Sequence, residues 1–359
     1  MGNSISLKNS ILTEMEKDTL VESWIHSSNH HHTTNNKEKE FIIHVKEETA
    51  KQNVDNVTRT NAYWEFYIKH PEVHWAFLAH MVSRNGGWNM TDLKGSIVPN
   101  FIPYNQASVF FSFLEKANFL IFHDAYPQLL LYEQSKLYNK SLFHLLPSFG
   151  VSSFMKPIWK LFLQHKCSEM LTYALIINEQ SYLEQRVILN PFYQAHVMQT
   201  ISFALQERLG LTNVVFPYYN EISIRLAGVT VTQFSQIKAR VHVGKKLYNI
   251  LFQNELVFEG ANEFARKVTH SGSRSDYLPD IFSSSKTTKK IHSPTLHDAW
   301  NTYTHPSPKM EDWFKKDLSI LHLFEKIKPI DKYDITDSYM QNLLKLTSLG
   351  KIKDLLEKI

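Results

Sequence analysis

The chain has 359 residues, of which 43% are hydrophobic and 13% aromatic, so it is long enough to bury a large core in one or two domains. Its 11 glycines and 13 prolines are too few for a sandwich or barrel of short strands, which needs many tight turns. The 39 basic and 35 acidic side chains leave a net charge of +4, which gives no clear signal for nucleic-acid binding.

Residues 1–55 are predicted to form a partly flexible amino-terminal arm with short helices at Leu12–Ile25 and Lys37–Gln52. The polar linker between them, SSNHHHTTNNK, contains three consecutive histidines. A selective metal site needs a fixed geometry, so we predict no metal there. Residues 56–359 are predicted to form one helical globular domain.

The clearest helix of this domain follows the His70-Pro71 break and carries a wide apolar arc. We predict that Asn85-Gly86-Gly87 ends it, because glycine readily adopts the left-handed conformation of a C-cap. His74 and His80 are predicted to be hydrogen-bonded helix residues rather than metal ligands, since the HExxH order is absent.

A polar segment follows this predicted helix end and contains Arg84, Asn85, Trp88, Asn89 and Asp92. Two interpretations are open. The side chains either satisfy the backbone of a loop, which is the usual role of Asn and Asp, or line a pocket for a small polar ligand.

The remaining pattern favours an all-α, irregular multi-helix bundle with little or no sheet. The most apolar block, Ser108–Phe122, contains Glu115 and Lys116, so we predict no transmembrane helix. Peripheral membrane association of this aromatic block is a weaker alternative. Helices are predicted near 105–123, 127–138, 152–166, 168–188, 191–208, 231–252, 259–270, 311–324 and 337–349, and one strand at 211–216.

Two single residues add to this prediction. Cys167 is the sole cysteine, which excludes an intramolecular disulfide; with the lack of an amino-terminal apolar segment, it favours a cytoplasmic location. Gly244 interrupts a helical stripe, which indicates close approach by another helix.

A second polar cluster, HSGSRSDYLPD, places His270, Arg274 and Asp276 around a glycine. The GxSxG elbow of serine hydrolases is absent, although a triad of His270, Asp276 and a serine stays open as an alternative. Beyond it, a long loop near 283–308 is rich in Ser, Thr, Lys and Pro and is either a lid or a tether. Since no phosphate-binding glycine loop or paired CxxC occurs, we predict no cofactor and no metal.

With these residues in view, the run RTNAYWEFYIKHPEVHWAFLAHMVSRNGGWNMTDLKG (Arg59–Gly95) resembles DUF2515, a family of uncharacterised proteins of Bacillus and its relatives. The segments VTVTQFSQIKARVHVGKKLYNILF and THSGSRSDYLPDIF are also similar to that family. The resemblance covers roughly residues 55–325. It implies a bacterial, intracellular, mainly helical protein and carries over no catalytic residue.

We therefore predict a non-catalytic binding or scaffolding protein of the bacterial cytosol, because a large aromatic-rich helical body lacks any recognisable catalytic motif. The alternative is an enzyme of unknown reaction, for example a hydrolase, with a polar pocket built from the 84–92 and 270–280 loops. The partner is an unidentified protein or a small polar ligand, and the oligomeric state stays open.

Overall fold

The structure, a computed structural model, describes residues 9–26, 34–200, 213–221, 223–231 and 234–356. Its longer helices are α1 (Glu14–Ile25), α2 (Asn36–Gln52), α3 (Asn56–Lys69), α4 (His74–Asp92), α5 (Tyr104–Leu137), α6 (Met155–His165), α7 (Ser168–Leu183), α8 (Ile237–Phe252), α9 (Glu255–Lys267) and α10 (Thr336–Leu356). Shorter helical turns cover Val98–Asn100, Phe143–Phe149, Glu184–Ile188, Pro191–Tyr193, Gln194–Met198, Arg274–Asp276, Leu296–Ala299 and Leu318–Phe324.

Strands are few in the described part of the chain. They are β1 (Asn213–Asn220), β2 (Ser223–Thr230), β3 (Phe282–Ser283) and β4 (Ile291–His292). The first two form an antiparallel hairpin in which Phe216 lies opposite Ala227, and the last two form a parallel pair. The predicted fold class, an all-α bundle with little sheet, is confirmed.

Local sequence signals explain where the amino-terminal helices begin. Thr13 and Asn35 cap α1 and α2. In each case the carboxylate of a glutamate three residues later accepts a hydrogen bond from the backbone N–H of the cap residue. Asp55 caps α3 by accepting a hydrogen bond from the backbone N–H of Thr58. Both α1 and α2 pack on the body. Trp24 of α1 is buried and stacks on Phe154 with ring centroids 5.2 Å apart.

The long helix α5 corrects the prediction of two helices at 105–123 and 127–138. It runs without interruption through Pro127. A proline inside a helix costs about 3 kcal/mol, because it removes one backbone hydrogen bond and crowds the preceding turn. Leu129, Leu131 and Tyr132 are fully buried just beyond the proline, and this packing outweighs the cost.

Other boundaries also differ from the predictions. The predicted helix at 311–324 is reduced to the turn Leu318–Phe324, and the residues before it are extended. The helix at 191–208 is present only as short turns up to Met198, and residues 201–208 lie outside the described residues. The strand at 211–216 appears as β1 from Asn213, and its partner β2 had no counterpart in the prediction; residues 211 and 212 lie outside the described residues.

The centre of the molecule is the pair α3 and α4, which packs against α5 and α7. The hairpin β1–β2 covers one side of this centre, where β1 packs on α9 and α4. The predicted close approach at Gly244 is confirmed: a Cβ there would lie 2.7 Å from Cγ2 of Ile176 on α7.

The aromatic block at 108–122 lies within α5 and faces the interior. Phe110, Phe111 and Phe113 are buried in a second core cluster with Met90 of α4. Because these rings are covered by protein, they are not available to insert into a membrane, and this corrects the peripheral-membrane alternative. Within the described ranges, helices of the length and apolarity required to cross a bilayer are absent.

Candidate functional site

The segment 84–92 is helix, not loop, which corrects both the predicted end of α4 and the predicted pocket of two loops. Gly86 and Gly87 lie inside α4 and neither has a left-handed backbone. They serve close packing instead. A Cβ on Gly87 would lie 2.3 Å from Oδ1 of Asn56 and 2.5 Å from Nε2 of His270. Glycine is required here because two other elements approach the helix axis closely.

Arg84 is buried in the interior, with only 1% of its surface exposed. Its Nε donates to Nε2 of His80 at 3.0 Å, and its Nη2 donates to the carbonyl of Val268. His80 Nδ1 lies 2.8 Å from the carbonyl oxygen of Thr60, so Nδ1 carries the proton and the ring is neutral. Burial and the charge of Arg84 hold the pKa of His80 well below its usual range. Burial lowers the pKa of Arg84 to about 10, so the guanidinium stays charged at neutral pH.

Asn85 joins α4 to the hairpin. Its Nδ2 donates to the carbonyls of Met81 at 2.9 Å and Val215 at 2.7 Å, and its Oδ1 accepts from the N–H of Val215 at 2.8 Å. The amide therefore pairs with a strand backbone in both directions, which is a structural task.

Asp276 is held by two residues from different parts of the chain. Trp88 Nε1 donates to Oδ2 at 3.3 Å, while the backbone N–H of Ser271 donates to Oδ2 at 3.0 Å and its hydroxyl donates to Oδ1 at 2.5 Å. Burial favours the neutral carboxyl, but neighbouring His270 and the bonds from Ser271 keep the pKa of Asp276 below its usual range. Asp276 is therefore an ionised anchor for the segment that follows α9.

The alternative triad of His270, Asp276 and a serine does not form. His270 Nε2 lies 2.9 Å from Oδ1 of Asn56, and Nδ1 lies 3.4 Å from Oδ2 of Asp276. The hydroxyl of Ser271 bonds the carboxylate rather than the imidazole. A nucleophilic serine needs a hydrogen bond to the base, and none of the described serines makes one to His270.

Arg274 is the centre of a second set of contacts. Its Nε and Nη2 bind both oxygens of Asp92, the shortest distance being 2.6 Å, and Nη2 lies 3.3 Å from Oδ1 of Asn89. Nη1 donates to the hydroxyls of Tyr277 and of Tyr339 on α10. Burial disfavours the charged form, but Asp92 and the tyrosines keep the pKa of Arg274 well above its usual range.

The two predicted segments thus meet in space. We call these side chains together the polar junction: Asn56, His80, Arg84, Asn85, Trp88, Asn89, Asp92, His270, Arg274 and Asp276. Asn56 and His80 were not predicted as members. Asn56 contacts His270, 214 residues away, whereas His80 bonds Arg84 only four residues along α4 and could have been found from that helical spacing. The assignment of the other eight to a ligand site stays a prediction.

His70, Glu72, His74 and His80 are close in sequence but do not come together as one metal-binding group, although His70 and Glu72 lie 3.8 Å apart. His70 Nε2 lies 3.3 Å from Glu133, whereas His74 stacks on Phe252 with centroids 4.1 Å apart. Glu72 accepts from Tyr132 at 2.7 Å, and His80 belongs to the polar junction. Among the described residues, no group of three or more His, Cys, Asp or Glu side chains is arranged to hold a metal ion.

A larger opening lies elsewhere, between α2, α5 and the extended segment 301–316. We call the opening the α2–α5 cleft and the segment the strap. The cleft has a volume of about 600 Å³. Phe119, Pro127, Phe149 and Met310 supply apolar surface, and Thr49, Ser148 and Thr304 supply hydroxyls.

The strap is fixed at several points along its length. Before it, Trp300 donates to the carbonyl of Met90 at 2.8 Å. Near its middle, the imidazole of His305 stacks on Phe119 with centroids 4.2 Å apart, and Nε2 lies 3.3 Å from Glu115. At its far end, Asp312 accepts from the hydroxyl of Ser152 at 2.6 Å.

His305 contacts Glu115, but three other basic side chains in or beside the cleft are not neutralised. Lys46 and His123 line it, and the Nζ of Lys116 lies 5.2 Å from the centroid of Phe119. None of the three forms an ion pair with a carboxylate of the described residues. Burial, together with the charges of Lys116 and Lys46, lowers the pKa of His123. The buried acid Glu115 is already bound by Arg59 at 2.6 Å and contacts His305.

Comparison with known proteins gives the chain a family. A model of the family described as "Protein of unknown function (DUF2515)" matches residues 51–342. The uncharacterized protein YppC of Bacillus subtilis (strain 168) is 38% identical over 321 residues, which cover 89% of this chain and 97% of that protein. No solved structure matches the chain. The family match, together with a full-length relative at this identity, shows that the chain belongs to the DUF2515 family.

Proposed function

We propose that this chain is a non-catalytic binding protein whose ligand is a small molecule held in the α2–α5 cleft. The observation that carries the proposal is the cleft itself. Its volume of about 600 Å³ lies within the range of about 300–1,000 Å³ that is typical of small-molecule sites. Its walls combine aromatic surface with a few polar side chains, which is the usual composition of such sites.

The chemistry of the polar junction supports the non-catalytic part of the proposal. An acid–base catalyst must be able to exchange a proton with a substrate atom. His80 is occupied on both ring nitrogens, by Thr60 and by Arg84. His270 is fully enclosed by protein, with 1% of its surface exposed. These histidines hold the fold together and have no route to a substrate.

The proposal is tested by asking whether the protein retains a small molecule. The full chain is incubated with a small-molecule extract of Bacillus subtilis, separated from unbound material, and analysed by mass spectrometry. We expect a compound that is retained by the wild type and recovered chemically unchanged. A compound converted to a product would contradict the non-catalytic part of the proposal.

A matched pair of variants localises the retained compound. Ala50 is exposed on α2 and lines the cleft, so Ala50→Trp fills the cleft without disturbing the core. Glu47 is exposed on the same helix and does not line the cleft, so Glu47→Trp is the control. Loss of retention in Ala50→Trp alone supports the site, whereas equal retention by both variants refutes it.

A further inference from the structure

We propose that the α2–α5 cleft binds a small organic anion, a carboxylate or phosphate ester on an aromatic or aliphatic body, with its acidic group beside Lys46 and His123. This inference rests on the proposed function and adds the chemical class of the ligand. The charge distribution around the cleft and the position of its apolar surface support it.

The described lining of the cleft contains basic side chains and no acidic ones. The residues that line the cleft include Lys46, His123 and His305, and they include no aspartate or glutamate among the described residues. Lys116 adds a further positive charge next to Phe119. A bound anion would be attracted by the charges of the two lysines and would favour the protonated form of the His123 ring. A bound carboxylate or phosphate would accept charge-assisted hydrogen bonds from the lysine and the imidazole.

Glu115, the neighbouring acid, does not neutralise these basic side chains. Glu115 is 3% exposed and lies against the buried guanidinium of Arg59, with Nη2 2.6 Å from Oε1. Its remaining contact is with His305 of the strap. Since Glu115 is committed to these two partners, it does not pair with Lys46, Lys116 or His123.

The apolar surface of the cleft fits the body of such a ligand. The aromatic ring of Phe119 lies next to the basic side chains, with its centroid 6.0 Å from that of the His123 ring. Phe149 and Met310 supply further apolar surface in the same cleft. A free inorganic anion would leave this surface exposed to water, whereas an anion with an apolar body would cover it.

The experiment compares three probes that share one body and differ in charge: 1-naphthoate, 1-naphthalenemethanol and 1-naphthylmethylammonium. Isothermal titration calorimetry measures each against the full-length protein at neutral pH. We expect 1-naphthoate to bind about tenfold more tightly than the alcohol, and the ammonium to bind most weakly. Equal affinities, or a preference for the ammonium, would overturn the inference and leave the proposed small-molecule site intact.

Failure of all three probes also overturns the inference. It overturns the proposed function as well only if the extract experiment finds no compound displaced by Ala50→Trp. The two claims therefore fail on different observations.

Two variants locate the acidic group. Lys46→Gln removes one positive charge from the cleft and should weaken 1-naphthoate about tenfold, while the affinity for 1-naphthalenemethanol stays unchanged. Lys51→Gln removes the same charge from the same helix, but Lys51 pairs with Glu48 and does not line the cleft. An equal loss in both variants would mean that the probe responds to overall charge, which contradicts a specific site.

Proton uptake gives a second readout. His123 faces Lys46 from α2 and His305 from the strap and lies near Lys116 on its own helix, while Glu115 is occupied by Arg59. Burial, together with the charges of Lys116 and Lys46, lowers the pKa of His123 in the free protein. A bound anion favours the charged ring, so binding of 1-naphthoate should take up a fraction of a proton near pH 6.5. Calorimetry in buffers of different ionisation enthalpy should detect this uptake in the wild type and not in His123→Gln.

Discussion

The polar junction and the α2–α5 cleft contain the same kinds of side chain, but they differ in what those side chains contact. In the junction, Arg84 and Arg274 are bound to residues of the chain itself. In the cleft, Lys46 and His123 line an opening and Lys116 lies beside the lining residue Phe119, and none of the three has an acidic partner among the described residues.

The comparison of the junction with the cleft shows that polar residue types alone do not identify a binding site. The partners of a buried arginine are part of the fold, and removing one side of such a contact is costly because an unpaired charge in the interior is unfavourable. A cluster of like charges beside an open cavity does not stabilise the fold, so it is the better indicator of a ligand. The predictions that follow test whether the junction is structural and the cleft is functional.

The largest effect is expected from Gly87→Ala. The new Cβ would lie 2.3 Å from Asn56 Oδ1 and 2.5 Å from His270 Nε2, so it must separate these two partners. Overpacking and the lost hydrogen bond should lower the free energy of unfolding by about 4 kcal/mol, measured by urea denaturation.

The neighbouring Gly86→Ala is the control. A Cβ there would lie 3.1 Å from the flexible amide of Asn118, which can shift, and alanine also favours the helix. We expect a change within about 1 kcal/mol. If the two variants are equally stable, the packing described for the junction is wrong.

The next largest effect is expected from Arg84→Ala and Arg274→Ala. The first leaves the carbonyl of Val268 and Nε2 of His80 without their donor, and the second leaves Asp92 partly buried and unpaired. Each should lower the free energy of unfolding by about 3 kcal/mol.

Arg266→Ala is the matched control for these two substitutions, because Arg266 is exposed; it hydrogen-bonds Asn262 in its own helix and its guanidinium lies 5.9 Å from the Trp64 ring. It should change stability by no more than about 0.5 kcal/mol. Unchanged stability of Arg84→Ala and Arg274→Ala, combined with loss of ligand retention, would return the ligand site to the junction.

A smaller effect is expected from acid. Burial lowers the pKa values of His80 and His270 below that of an unfolded histidine, so the unfolded chain binds more protons at mildly acidic pH. The stability that depends on neutral rings is therefore complete above about pH 6.5 and is lost as the pH falls towards the folded-state pKa values. Each ring contributes a slope of up to about 1.4 kcal/mol per pH unit.

The contribution of one ring can be isolated. His80→Gln keeps a donor and an acceptor at this position but cannot titrate, so its urea midpoint should vary less between pH 7 and pH 5 than that of the wild type. His44→Gln, at an exposed position of α2, should retain the dependence of the wild type. An identical pH dependence in all three proteins would mean that His80 has the same pKa in the folded and unfolded chains.

The helical class and the packing role of Gly244 could be predicted from the sequence, because both follow from local periodicity and residue size. The end of α4 could not. An Asn-Gly-Gly run is a common signal for the end of a helix. Only the approach of Asn56 and His270 explains why these glycines remain helical. Those contacts span up to 214 residues of sequence, so no local pattern contains them.

The two polar segments of the junction were identified from composition, and the structure brings them together. Their mutual pairing was not visible in the sequence, since Asp92 and Arg274 are 182 residues apart. The cleft was missed for the same reason. Lys46 and His305 come from the predicted arm and the predicted loop, two regions that carry no motif of their own.

The smallest predicted effect is the sharpest test of the cleft. If Lys116 depresses the pKa of His123, then Lys116→Gln should raise that pKa by a few tenths of a unit towards its ordinary value of about 6.5. An NMR titration of the histidine ring protons measures the shift directly. Lys51→Gln, which removes a charge outside the cleft, should leave the His123 titration unchanged. Because Lys116 has no acidic partner among the described residues, its removal should also cost no stability, unlike the loss of an arginine from the polar junction. A fall in the His123 pKa, or a loss of stability as large as that of Arg84→Ala, would mean that the charges of the cleft are compensated within the fold and are not directed at a ligand.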